Sequence, residues 1–183
     1  MMSWQKGKSL RYFNRIMDTE RSLYEIEVAL AKSDFFNFVR NIIAFNVNGW
    51  GGELNLWHEC DMLVLTKAGY LTEIEIKRSW SDFLADFKKK HKHESEGIIK
   101  KFYYAVPYSI AEKVFNYLVQ NNISCDGVLY YTEDLNVRFY RLIERKNTFR
   151  KLTLSEQLQV ARYGAMRSVM LREKIIKLEK NKL

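Results

Sequence analysis

Asp61-Met-Leu-Val-Leu-Thr66, then Lys67-Ala-Gly69, then Tyr70-Leu-Thr-Glu-Ile-Glu-Ile-Lys77 is the stretch that decides the fold. The first run is apolar. The second alternates, with Ile74 and Ile76 on one side and Glu73, Glu75 and Lys77 on the other, the period-two pattern of a strand. Lys67-Ala68-Gly69 has the length of a three-residue hairpin loop, with glycine at the last position, where the backbone turns left-handed. Such a loop pairs Thr66 with Tyr70, and counting outward sets Asp61 opposite Glu75. Opposed residues share a face, so Asp61, Glu75 and Lys77 are expected to cluster. A slip of one residue undoes the cluster, so the register is itself a prediction.

A strand face carrying Glu73, Glu75 and Lys77 is costly if buried. Its charges have to be in water, paired, or holding a cation. Two carboxylates converging on one point make a site for a hard cation, and Mg²⁺ favours one or two carboxylates, waters and phosphate oxygens. The carbonyl of Ile76 is a candidate further ligand, and Mn²⁺ is the natural substitute ion. Lys77 is then placed to orient or polarise a metal-bound water for in-line attack on a phosphodiester. The blander alternative is a structural ion pair on a solvent-facing strand.

Outward from the hairpin, residues 19–32 read as a helix with Leu23, Ile26, Leu30 and Ala31 at helical spacing. Residues 39–47 read as a strand, ended by Gly49-Trp50-Gly51-Gly52. Ser79-Trp-Ser-Asp82 is a helix start, with a hydroxyl cap and an acid in the first turn, and that helix is expected to run to about Glu94. A short buried strand at 101–106 ends at Pro107, the single proline of the chain. A helix at 109–120, a second hairpin from 127–131 and 137–143, and a long helix from 153 to about 180, opened near Ser155, complete the order α-β-β-β-α-β-α-β-β-α. The expected class is α/β with a mixed sheet, an added hairpin and a long C-terminal helix. The expected division is a domain over residues 1–150 and a basic helix over 151–183.

Asp61, thirteen intervening residues, then Glu75-Ile76-Lys77 on the next strand resembles the signature of the PD-(D/E)XK nuclease superfamily. The αβββαβ order of residues 19–106 is similar to that superfamily's restriction-endonuclease-like core. Glu59-Cys60-Asp61, Glu73-Ile-Glu-Ile-Lys77 and Asp82-Phe-Leu-Ala-Asp86 resemble small bacterial and phage members, including DNA-repair proteins of the MmcB type. Cys60 stands where proline precedes the acid in the signature. The resemblance implies a Mg²⁺-dependent nuclease acting on DNA, in repair, recombination or phage DNA metabolism. Asp61, Glu75 and Lys77 would be catalytic, and Asp61, Glu75 and the Ile76 carbonyl would hold metal. Alanine at Asp61 or Lys77 is expected to abolish cleavage without unfolding the chain.

The resemblance also implies an acid on the first helix, where Glu25 and Glu27 compete. At about 100° per residue, Glu27 turns inward with Ile26 and Leu30 whereas Glu25 lies on the far side; Glu27 is therefore the expected metal ligand. After Lys77, the run Lys88-Lys-Lys-His-Lys-His93 offers Lys88, His91 and His93 as phosphate contacts, or as a solvated basic face. A zinc site from His58, Cys60, His91 and His93 has no paired ligand spacing and is set aside, and Cys60 is expected to be an inert buried thiol. Asp82 and Asp86 are expected to serve the helix terminus, pairing with Lys89 or Lys90; the competing reading makes them acids that stand behind the metal ligands. Trp50 and Trp57 are expected to pack.

The chain has 183 residues, 47% hydrophobic and 14% aromatic, with 30 Lys+Arg against 22 Asp+Glu for a formal charge of +8. Eleven basic and three acidic residues lie between Arg145 and Leu183, so that segment carries the whole excess and residues 1–144 sum to zero. There is material for a core, which argues against wholesale disorder. No run of 18 apolar residues is present, and no membrane partner is expected. The first fifteen residues lack the apolar run of a secretory signal. Two cysteines make no disulfide framework, so a reducing, cytoplasmic setting is expected. The basic helix, with Arg162 and Arg167 among its cations, is expected either to dock with its cations exposed, on the sheet or on a second copy in a homodimer, or to run along a nucleic-acid backbone. The runner-up function is a nucleic-acid-binding or repair-accessory module that keeps the fold without the catalysis.

Overall fold

In the computed structural model, which describes residues 21–48, 53, 54, 56, 58–87, 97–145 and 148–180, the deciding stretch forms an antiparallel pair. Its strands are β2 (Glu59–Leu65) and β3 (Leu71–Ile76). The register is the expected one: Met62 faces Ile74, Leu65 faces Leu71, and the Thr66 N–H donates to the Tyr70 carbonyl at 3.0 Å. Gly69 takes φ +81°, the left-handed turn that this loop requires.

β1 (Ile42–Asn48) pairs antiparallel with β2. On the other side, β3 runs parallel to β4 (Ile99–Pro107), β4 parallel to β5 (Gly127–Tyr131), and β5 antiparallel to β6 (Val137–Leu142). The result is a six-stranded mixed sheet in sequence order. Four helices accompany it among the described residues: α1 (Leu23–Lys32), α2 (Trp80–Asp86), α3 (Tyr108–Gln120) and α4 (Leu154–Lys180). The αβββαβ order, the added hairpin and the long final helix are all present.

The two faces of the sheet bury different sets. Met62, Val64, Ile74 and Ile76 pack with Ile26 and Leu30 of α1. Leu63, Leu71, Phe102 and Tyr104 pack with Phe83 of α2, with Ala111, Val114 and Leu118 of α3, and with Val160 of α4. β3 is therefore covered on both sides, and its charged face lies in the interior rather than in water.

Local chemistry explains the boundaries. α1 opens on a reciprocal cap: the Ser22 hydroxyl accepts from Glu25 N–H while the Glu25 carboxylate accepts from Ser22 N–H. β1 starts three residues later than the sequence suggests, because Asn37 is left-handed (φ +37°) and residues 38–41 are still turning. α2 starts on Ser79, whose hydroxyl accepts from Asp82 N–H; it ends at Asp86, and residues 88–96, where a longer helix is expected, lie outside the described residues.

α4 opens on Thr153, the first residue of the expected range and slightly before Ser155, again by a capping box in which Thr153 Oγ1 accepts from Glu156 N–H and Glu156 accepts from Thr153 N–H. Arg150 forks onto the same carboxylate at 2.6 and 2.7 Å, and with the Thr153 bonds it holds the Glu156 carboxyl down at about 2. A carboxyl depressed in the folded state stabilises it above the unfolded value of about 4.5, and that contribution is lost as pH falls toward 2. Glu156→Gln is thus expected to cost about 1 kcal/mol near neutrality, given a cap and a half-exposed Arg partner. In urea denaturation the gap from wild type should narrow steadily below about pH 4.5.

The helix then crosses β1 closely: a Cβ on Gly164 would lie 3.0 Å from the Ile43 carbonyl oxygen. Its first half is part of the core through Val160, and residues 171–180 are exposed. Residues 151–180 therefore both dock on the domain and extend from it.

Candidate functional site

The site begins where β2 leaves β3. Continuing the ladder from the Thr66–Tyr70 pair alternates hydrogen-bonded partners through Val64–Thr72 and Met62–Ile74. The next such pair would be Cys60–Ile76, with Ile76 N–H donating to the Cys60 carbonyl. Instead Ile76 N–H donates to Asp61 Oδ2 at 2.8 Å. The Asp61 carboxylate has taken a backbone acceptor's place, in the plane of the sheet. The alternation of β2 breaks at this point, since Cys60 packs with Leu63 although Met62 packs on the opposite face. The register is as the sequence predicts, but Asp61 does not share the face of Glu75: its carboxylate lies at Ile76 N–H, in the gap between the strands.

The Ile76–Lys77 peptide has a related consequence. Lys77 N–H donates toward β4, to the Ala105 carbonyl at 3.0 Å. The carbonyl of the same peptide, that of Ile76, points the opposite way, to the side where Asp61 lies.

On the inner face, Lys77 and Glu75 are each only 3% exposed. The Lys77 ammonium donates to Glu75 Oε1 at 2.6 Å and to Asp86 Oδ1 at 2.9 Å. Burial pulls the lysine's pKa down, but Glu75 and Asp86 outweigh it and hold the group above the usual lysine value, so it remains an ammonium. Tyr104 adds an O–H donor to Asp86 Oδ2 at 3.4 Å. The two helix acids thus divide. Asp82 serves the helix start, accepting from Arg78 N–H at 2.9 Å. Asp86 does not serve the terminus but is a buried partner of Lys77, nearer to the competing expectation that places it behind the site.

Glu27 of α1 faces inward and is buried, as its helical phase requires, whereas Glu25 is spent on the cap. Asn46, left-handed at φ +50° and sitting across from Asp61 in the β1–β2 register, donates to Glu27 Oε1 at 2.9 Å. Burial raises the Glu27 carboxyl above the usual range and the negative charge of Asp61 adds to it, against the Asn46 bond and the cation of Arg167 on α4. α4 therefore brings one of its basic residues to the acids. Arg167 is partly exposed, Arg162 is exposed, and Lys88, His91 and His93 lie outside the described residues, as do Trp50 and Trp57.

Beside this cluster, His58 Nε2 meets Glu73 Oε1 at 2.6 Å and Cys60 Sγ at 3.4 Å. Burial, followed by the charges of Glu73 and Glu75, pushes the Cys60 thiol well up.

Sequence reasoning missed Asn46, the role of Asp86 and the meeting of His58 with Glu73. Asp86 carried a signal, because it lies three residues after Phe83 and shares its inward side. Nothing in the sequence around Asn46 marks it.

Glu27 and Asp61 lie close enough for the charge of one to act on the other, and Glu75 carries the Lys77 ammonium, but among the described residues the His, Cys and carboxylate donors that gather within 4.8 Å of one another are those of His58, Cys60 and Glu73. No protein-family model matches the chain, and no curated protein matches it. Among solved structures it is similar to SPO1766, a protein of unknown function from Silicibacter pomeroyi, with a TM-score of 0.54 over 87% of this chain and 92% of that chain at 14% identity, which is a likeness of fold. No described helix is long and apolar enough to cross a membrane.

Proposed function

We propose that the protein is a metal-dependent nuclease of the PD-(D/E)XK type that hydrolyses phosphodiester bonds in DNA. The observation that carries this reading is the Asp61 carboxylate accepting from Ile76 N–H at 2.8 Å, near enough to Glu27 for its charge to raise that carboxyl, with the buried Glu75–Lys77 pair on either side of Ile76 in the sequence. The proposed donor set is of the kind that Mg²⁺ takes, with Mn²⁺ as its substitute. It is all oxygen, and the raised Glu27 carboxyl marks a place where negative charge is crowded and a cation is favoured. Glu27, Asp61, Glu75 and the Ile76 carbonyl would hold the ion, which supplies Lewis acidity at the phosphate and a lowered pKa for water.

The chain's own groups do the rest. Lys77 stays protonated, so it serves as a donor that orients the attacking water or meets charge building on the phosphate, and not as a general base. Asp86 is a positioning residue that fixes the Lys77 ammonium. Arg167 sits near Glu27, where an incoming phosphate is drawn, and Arg162, Arg172, Lys174 and Lys177 add positive charge around the exposed part of α4. None of these is a base-reading arrangement, so binding is expected to be salt-sensitive and independent of sequence.

The test is a panel of end-labelled linear, nicked, branched and single-stranded DNA incubated with Mg²⁺, Mn²⁺ or chelator. Metal-dependent products on at least one substrate are expected. Salt-sensitive binding with no cleavage of any substrate would replace the nuclease by a binding or repair-accessory module.

A further inference from the structure

We propose that His58, Cys60 and Glu73 form a second, softer metal site, selective for Zn²⁺, at the point where β2 leaves β3. It is separate from the oxygen-donor cluster and does not depend on what that cluster does. His58 Nε2, Cys60 Sγ and a Glu73 carboxylate oxygen all lie within 4.8 Å of one another. Donors around a tetrahedral zinc sit roughly 3.3–3.6 Å apart, given metal–ligand lengths of about 2.0–2.3 Å. The His58–Cys60 separation of 3.4 Å already has that value. The His58–Glu73 separation of 2.6 Å has to open by less than 1 Å, which a turn of the carboxylate provides.

The donors are also the right kind. Imidazole, thiolate and a single carboxylate favour zinc over magnesium, whose site next door is all oxygen. Burial is near complete, with side-chain exposure of 8% for His58 and 1% for Glu73, and Cys60 fully enclosed. Three protein donors leave the fourth tetrahedral position to a water. A buried His–Glu hydrogen bond by itself needs no sulfur at 3.4 Å. Since His58 and Cys60 immediately precede Asp61, a metal here ties the segment that aims the Asp61 carboxylate to the middle of β3.

The reduced, metal-stripped full chain should be titrated with Co²⁺. The proposal requires a thiolate-to-cobalt charge-transfer band that saturates at one ion per chain and is displaced by Zn²⁺. The band should vanish in Cys60→Ser and persist in Cys125→Ser, the other buried cysteine. Co²⁺ held by Glu27, Asp61 and Glu75 gives no such band, so this outcome is independent of the nuclease assay. Absence of the band in folded wild-type protein, or its survival in Cys60→Ser, overturns the site. If Cys60→Ser does not fold, X-ray absorption of the zinc-loaded wild type decides: one sulfur at about 2.3 Å is required, and a shell of only nitrogen and oxygen overturns the proposal.

Discussion

Lys77→Ala is expected to lower the stability of the fold by about 3–5 kcal/mol, the usual cost of removing one member of a buried ion pair. The chain's sequence alone suggests a clean catalytic knockout at this position, and the interior location of Lys77 reverses that expectation. Its ammonium lies between Glu75 and Asp86, both nearly inaccessible to water. Without it, two buried carboxylates lose the ammonium that donates to both, and either charge is then costly to keep. Urea denaturation reads the loss directly. Replacing all three members together, as Lys77→Met with Glu75→Gln and Asp86→Asn, should recover most of the stability, because a neutral, well-packed set has no desolvation penalty to offset. A Lys77→Ala protein as stable as wild type would mean that the ion triad does not form.

Asp61→Asn is expected to do the opposite, sparing the fold and losing the chemistry. The amide oxygen of asparagine still accepts from Ile76 N–H, so stability should change by less than about 1 kcal/mol, the worth of one ordinary hydrogen bond. The negative charge is what disappears, and with it a ligand for the cation. Cleavage should fall by at least about 10²-fold, the scale of losing one preorganised electrostatic contact at the reacting centre. DNA binding, which the proposed function assigns to α4 and Arg167, should be retained. Lys77→Ala and Asp61→Asn thus separate what holds the site together from what it does.

Much of this was legible in the residues. The register of β2 and β3 follows from a three-residue loop and a period of two, both local properties. Glu27 is picked out by helical phase, and Ser79 by cap chemistry. The sequence did not disclose that Asp61 stands between the strands. Its orientation comes from β2 parting from β3 and from a side chain replacing the Cys60 carbonyl, which is a tertiary event invisible to an alternation rule. Asp86 was read by its neighbours in sequence, whereas its partner is Lys77 nine residues earlier, brought to it by the turn into α2. His58 lies next to a strand in sequence and acquires a role only because the same parting turns Cys60 to the Glu73 face.

Under the proposed function, the acids at the β2–β3 gap work by holding a divalent cation on DNA. A chase experiment tests it most directly: the protein–DNA complex is formed in chelator, then excess Mg²⁺ is added and cleavage is followed in a single turnover. Binding without cleavage is expected until Mg²⁺ arrives, then cleavage by wild type and almost none by Asp61→Asn. Cleavage in chelator, or equal rates for the two proteins after Mg²⁺, would contradict it.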